Sequence, residues 1–262
     1  MKRKHHVTTN PPTLISVQNH STRVADADVE KMVAAVAVQL ARDYAPFYGL
    51  AAALEFVPKG GKPNPDGVPF VIADQSDVPD AAGYHDETDA DLPRGFVFVS
   101  PTLDNGGTVL SGANSVSVTL SHEALEAEGD LSANIWADGP DGHDYAYELA
   151  DAFEADSYEI DGVSVSNFAL PSFFNPHATG RVDFMSLGKA PFVTRPGGYQ
   201  IKRTEPGAIS QVFGRTMVGV GPHRRRAIVV VDFDPGYAHW KKVSKIANAR
   251  RRRTGGQILS RS

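Results

Sequence analysis

The 262-residue sequence predicts an α+β fold, and three observations carry that expectation. Apolar residues recur at helical spacing near the N-terminus and again around residue 120. Short runs of β-forming residues lie between these segments and after them. The resulting order is helix, mixed strands, two helices, then an irregular β-rich half, and no repeat period runs through it.

Residues 1–12 are polar and end in Pro11-Pro12, as an extended arm does, and Thr13 to Gln18 reads as a short strand. Val29, Met32, Val33, Val36, Ala37 and Leu40 then mark a helix, with Asp26 or Asp28 as its N-cap and Pro46 and Gly49 as its stop. Strands are expected at Ala51–Val57, Pro69–Ala73 and Gly95–Ser100. Between the last two lies an acidic loop containing Tyr84 and His85. The Asn105-Gly106-Gly107 turn leads into an amphipathic helix over Val116–Glu128. A further helix is expected over Tyr145–Glu154, after the Asp-rich loop from Asp138 to Asp144. From Tyr158 to Asp234 the chain is rich in β-formers, Gly and Pro, with apolar runs at Gly162–Phe168 and Ala227–Phe233.

The net charge of −5 conceals a division. From Pro222 onward eleven Arg or Lys face two Asp, so the rest of the chain is strongly acidic. A polyphosphate would be repelled by that body, which argues against nucleic-acid binding outside the tail. The absence of cysteine excludes disulfides, thiolate metal sites and a Cys nucleophile. Met1 to His6 is basic without a following apolar region, and no run approaches eighteen apolar residues. The expectation is a protein made in the cytoplasm, without a signal peptide or membrane span. No dinucleotide, P-loop or Gly-x-Ser-x-Gly pattern is present.

Between Val71 and Gly162 there are 21 Asp or Glu and a single basic residue, Arg94. Acidic loops facing water would account for many of these carboxylates. A cation as their missing partner is the alternative, and the helix around residue 122 favours it. That helix reads Ser121-His122-Glu123-Ala124-Leu125-Glu126. His122 and Glu126 are four apart and share a face, and Glu123 is offset by about 100°. This is the H-E-x-x-H geometry with Glu in fifth place, and a carboxylate ligates zinc as well as an imidazole does. Taken alone the pattern is weak, since Glu is common on helices and an exposed acidic helix with an incidental His would share it.

The motif, the preceding apolar strand and Gly turn, and Tyr147-Glu148-Leu149-Ala150-Asp151 beyond it together resemble the zincin superfamily, its gluzincin branch in particular. The likeness spans roughly residues 25–160. It implies a mixed sheet, an active-site helix and a second ligand helix, with an irregular β-rich part following. It also implies His122, Glu126 and Glu148 as metal ligands, Glu123 as general base, and Asp151 as the group that orients His122. Asp130 or Asp151 remains an alternative third ligand. The chain departs from the gluzincin pattern in its Glu126 ligand and in a three-residue step from Glu148 to Asp151. The implied cofactor is a divalent metal, zinc first, although this donor set would tolerate Mn²⁺ or Ca²⁺ better than the usual one.

Gly83-Tyr84-His85-Asp86 together with Ser121–Glu126 is similar to segments of uncharacterised bacterial and phage-encoded proteins, a likeness that names no activity. Tyr84 and His85 are candidates for polarising a substrate carbonyl, or else a surface pair. Asp138, Asp141 and Asp144 around His143 read as a calcium loop or as an ordinary turn.

The expected organisation is an arm at 1–12, a zincin-like metal-binding domain at 13–160, a β-rich subregion packed on it at 161–238, and a basic tail at 239–262. Residues 240–250 suit a basic amphipathic helix bearing Trp240, Val243 and Ile246. The expected function is metal-dependent hydrolysis of a peptide or protein substrate. A second reading is a catalytically silent zincin-like protein of a larger assembly such as a phage virion, where the arms dock on other subunits. A third is a calcium-stabilised binding domain. The basic tail could also touch nucleic acid, and no membrane partner is expected.

Overall fold

The computed structural model describes residues 13–49, 51–78, 81–205, 208–214, 216–218, 229–231 and 258–259, which form a mixed α+β structure. Strand β1 (Leu14–Asn19) is an interior strand of the first sheet, and the chain leaves it through helix α1 (Asp26–Val38). Helix α1 continues through a wide π-helical turn at Gln39–Tyr44 into the short α2 (Ala45–Tyr48). It stops at Gly49, whose φ of 99° is open to glycine. The N-cap is Ala25, not Asp26 or Asp28. Asp26 is occupied elsewhere, accepting from Asn19 Nδ2 at 2.8 Å.

Strands β2 (Ala53–Val57) and β3 (Val68–Ala73) pair in parallel on either side of β1. Strand β4 (Gly83–Glu87) is the edge and runs antiparallel to β5 (Pro93–Phe98), which pairs in parallel with β3. The resulting order is β2-β1-β3-β5-β4. The acidic loop expected around Tyr84 and His85 is therefore a strand. It pairs with β5 along one edge, and its residues Gly83–Asp86 are buried.

A short helix, α3 (Val99–Leu103), follows β5 and leads toward the long helix α4 (Val116–Asp130). Ser115 caps α4, its Oγ accepting from the Val118 N–H at 3.3 Å. The apolar residues of α1 and α4, among them Met32, Val36, Leu120 and Ala124, form one core with Ile15, Val17, Phe70 and Val97 of the sheet. The periodicity in the sequence had marked both helices for that burial.

Beyond α4 the chain forms β6 (Trp136–Asp138) and β7 (Asp144–Ala146), and Asp151–Phe153 makes a single 3₁₀ turn. The helix expected over Tyr145–Glu154 is not formed. Tyr145 pairs with Ala137 of β6 on one side and with Lys202 of a later strand on the other. Leu149, Ala150 and Phe153 are buried as an irregular segment. Pairing across the sheet outweighs a local helical preference worth only tenths of a kcal/mol per residue.

Strands β8 (Ser157–Ile160) and β9 (Val163–Ser166) form a hairpin around Asp161-Gly162, whose φ values of 50° and 78° are those of a two-residue primed turn. This hairpin crosses the domain boundary expected at residue 160. Val163, Val165, Phe168 and Leu170 complete the same core as α1 and α4. A second sheet has the order β11-β10-β7-β6-β14, with β10 at Tyr199–Glu205, β11 at Ala208–Phe213 and β14 at Ile258–Leu259. Strands β12 (Thr216–Val218) and β13 (Val229–Val231) pair with each other. The arm at 1–12, the Arg224–Arg226 and Arg250–Arg253 runs and the helix expected at 240–250 lie outside the described residues. No helix among the described residues is long and apolar enough to cross a membrane.

Candidate metal centre

The outer face of α4 ought to be wet, yet His122, Glu123, Glu126 and Asp130 are all buried. Two elements cover it. Strand β4 lies along one side, close enough that a Cβ on Gly83 would meet Thr119 Cγ2 at 2.7 Å and Glu123 Oε1 at 2.8 Å. The segment Tyr147–Asp151 lies across the C-terminal end, where Leu149 packs against Gly129 and a Cβ there would meet Leu149 Cγ at 2.7 Å. Glycine at these two positions is what lets β4 and the 147–151 segment approach the helix.

The i,i+4 spacing brings His122 Nε2 to 2.9 Å from Glu126 Oε1. Asp151 Oδ1 faces the same nitrogen at 3.1 Å. His122, Glu126 and Asp151 therefore offer three ligand atoms within 4.8 Å of one another. Two ligands each about 2.1 Å from one ion stand about 3.0–3.4 Å apart, depending on geometry, so the donor set fits a small divalent cation. The orienting role implied for Asp151 needed contact with the opposite ring nitrogen. Sharing Nε2 with Glu126 makes Asp151 a candidate ligand, one of the alternatives the sequence had left open.

Two other candidate ligands are placed differently. Asp130 spends both oxygens on the loop after α4, accepting from Asn134 N at 2.9 Å and Ile135 N at 2.7 Å. Glu148 is buried, and its charge acts on His85, but it belongs to neither group of converging ligand atoms among the described residues.

His85 and Tyr84 separate because neighbouring residues of a strand point to opposite faces. The Tyr84 ring packs against Phe96 and Phe98 on the far face of the sheet, and its hydroxyl donates to Asp77 at 2.9 Å. Burial first, and the Asp77 carboxylate second, push the Tyr84 phenol well above its ordinary value. His85 points at α4. Its Nδ1 lies 3.6 Å from Glu123 Oε2 and 3.7 Å from Glu126 Oε2, and these three residues form a second group of converging ligand atoms. Its Nε2 lies 3.1 Å from the main-chain oxygen of Asp130. A carbonyl can only accept, so Nε2 carries a proton, and Nδ1 is the ring atom turned to the two carboxylates.

Burial would drive the His85 imidazole toward neutrality, but Glu123, Glu148 and Glu126 outweigh it and raise its proton affinity to about 9. Tyr199, at the start of β10, is pushed well above its ordinary value by burial and by the charges of Asp151, Glu154 and Glu126. The potential across this region is therefore strongly negative.

The Asp138–Asp144 loop does not gather its carboxylates around a cation. Asp141 pairs with Lys202 and Asp144 with Arg203, while His143 Nδ1 lies 3.4 Å from Asp141 Oδ2. What sequence reading missed was His85 as a partner of the α4 carboxylates. Gly83, one step from a covered position on the strand, was the available signal. No family model, curated protein or solved structure matches this chain.

Proposed function

We propose that this chain holds a divalent metal ion through His122, Glu126 and Asp151 in a zincin-like setting, and that the centre serves hydrolysis of a peptide or protein substrate. The observation that carries this reading is the convergence of Glu126 Oε1 and Asp151 Oδ1 on His122 Nε2, at 2.9 and 3.1 Å. Glu123 lies on the same helix, one residue from the first ligand. One imidazole and two carboxylates make a hard, anionic donor set that suits zinc and also manganese. When bound, the ion would supply Lewis acidity toward a scissile carbonyl. Glu123 accepts the proton of the attacking water, and the acidic surroundings favour a neutral or basic substrate.

A second reading has its own observation. His122, Glu123, Glu126 and Asp151 are each no more than 4% exposed, so a substrate reaches them only if β4 or the 147–151 segment moves aside. A buried ion of this kind stabilises a fold, as expected of a catalytically silent member of a larger assembly such as a virion.

Metal analysis of the purified chain, joined to a peptide-library assay of wild type and Glu123→Gln, separates the two. The hydrolase reading expects bound metal and cleavage that Glu123→Gln abolishes while at least one ion per chain remains. Bound metal without cleavage under Zn²⁺, Mn²⁺ or Ca²⁺ supports the structural reading. No bound metal overturns both.

A further inference from the structure

We propose that the centre takes two divalent ions bridged by the Glu126 carboxylate. This rests on the metal-binding reading above and adds a second site to it. The two oxygens of Glu126 face different histidines: Oε1 lies 2.9 Å from His122 Nε2, and Oε2 lies 3.7 Å from His85 Nδ1. The first ion has His122, Glu126 Oε1 and Asp151 as ligands. The second has His85 Nδ1, Glu126 Oε2 and Glu123 Oε2, with Nδ1 3.6 Å from the Glu123 oxygen, so that with both ions present Glu123 is a ligand and not the base of the one-ion reading. Two-metal sites in general hold their ions about 3.5–4 Å apart, within the span of one bridging carboxylate.

His85 supplies an observation independent of the carboxylates. Its side chain is 1% exposed, and its Nδ1 makes no hydrogen bond within 3.5 Å. The other ring nitrogen donates to the Asp130 carbonyl at 3.1 Å. A main-chain carbonyl on the far nitrogen is the usual support of a ligating histidine, because it fixes the ring and the tautomer. The ring atom it leaves for a ligand, Nδ1, is directed between Glu123 and Glu126.

The second site is built from harder donors than a thiolate site, so Zn²⁺ and Mn²⁺ are the probes of choice.

The test is metal content of the full chain after equilibrium dialysis against Zn²⁺ or Mn²⁺, with electron paramagnetic resonance of the Mn²⁺-loaded wild type. The expected result is two ions per chain and an exchange-coupled Mn²⁺ pair. His85→Ala and the milder His85→Gln should each lower the content to one ion, with an uncoupled Mn²⁺ spectrum. Glu126→Gln should weaken both sites. Circular dichroism identifies any variant that fails to fold, and the wild-type spectrum decides the matter without variants. One ion per chain with an uncoupled wild-type spectrum overturns the second site and leaves the single-metal reading standing. No bound ion overturns both.

Discussion

Ser121, the residue before His122, donates its hydroxyl to Gln39 Oε1 at 2.6 Å, joining the site helix α4 to the π-helical turn that follows α1. The contact is part of a closed triangle. Gln39 Nε2 donates to Ser166 O at 2.8 Å, and the Ser166 N–H donates to Ser121 Oγ at 2.9 Å. All three residues are fully buried, so each bond replaces water that cannot enter. The wide turn at Gln39 is what brings a long amide to this point, and Tyr158 and Asp43 extend the network outward.

Ser121→Ala leaves a buried amide oxygen and a buried main-chain N–H without their partner. A loss of about 1–3 kcal/mol is expected. Urea unfolding should show a lower midpoint at unchanged slope. A change below a few tenths of a kcal/mol would mean that the triangle contributes little to holding α4 in place.

Gly83→Ala places a methyl group 2.7–2.9 Å from Thr119 Cγ2, Glu123 Oε1 and Phe96 O. Either β4 separates from α4 or Glu123 shifts, with an expected cost of about 1–3 kcal/mol. Metal affinity measured by calorimetric titration should fall with stability, because β4 also carries His85. Unchanged affinity would show that the approach of β4 to α4 does not shape the centre.

Asp74 ties the β1–α1 connection to the end of β3, accepting from Ser21 Oγ, from Thr22 N at 3.0 Å and from Thr22 Oγ1 at 2.6 Å. Partial burial alone would raise its pKa, but these hydrogen bonds outweigh it and hold the carboxyl below its ordinary value. A carboxyl depressed in the folded state stabilises above its unfolded pKa of about 3.9 and loses that contribution as pH falls through the folded value. Asp74→Ala should therefore cost about 1–3 kcal/mol near pH 7 and progressively less below pH 4. Chemical denaturation at several pH values gives the difference directly. A penalty independent of pH would remove the ionised carboxylate from the explanation.

A metal that binds only the folded chain must raise the melting temperature with its concentration. The stabilisation should reach about 2.7 kcal/mol at a hundredfold excess over Kd and disappear with chelator. His122→Ala and Asp151→Ala should each lower the response, whereas Tyr84→Phe, on the far face of the sheet, should leave it intact. Scanning fluorimetry across Zn²⁺, Mn²⁺ and Ca²⁺ is sufficient. A Ca²⁺-only response would instead favour the calcium-stabilised domain, and a flat response to all three would count against any metal centre.

Much of the framework was legible in the residue pattern. The spacing of Val29, Met32, Val33 and Val36 marked α1, and the spacing of His122 and Glu126 marked the pair they form on α4, because a 3.6-residue period is a property of neighbouring residues. The Asp161-Gly162 turn was equally open to local reading through its primed-turn residues. The Tyr145–Glu154 segment misled because its local preference is helical, whereas its hydrogen-bonding partners lie in β6 and, more than fifty residues later, in β10.

The sequence by itself determined the two principal helices, most of the strands of the first sheet, the acidic concentration around residue 122 and the His122–Glu126 pair. Only the tertiary structure decided that His85 turns toward α4 while Tyr84 turns away, that Asp151 shares His122 Nε2, and that Asp130 is occupied with its own loop. Local periodicity fixes which residues share a face. Which face meets which partner is set by strand register and by the close approaches that Gly83 and Gly129 permit, and these are contacts between segments far apart in the chain.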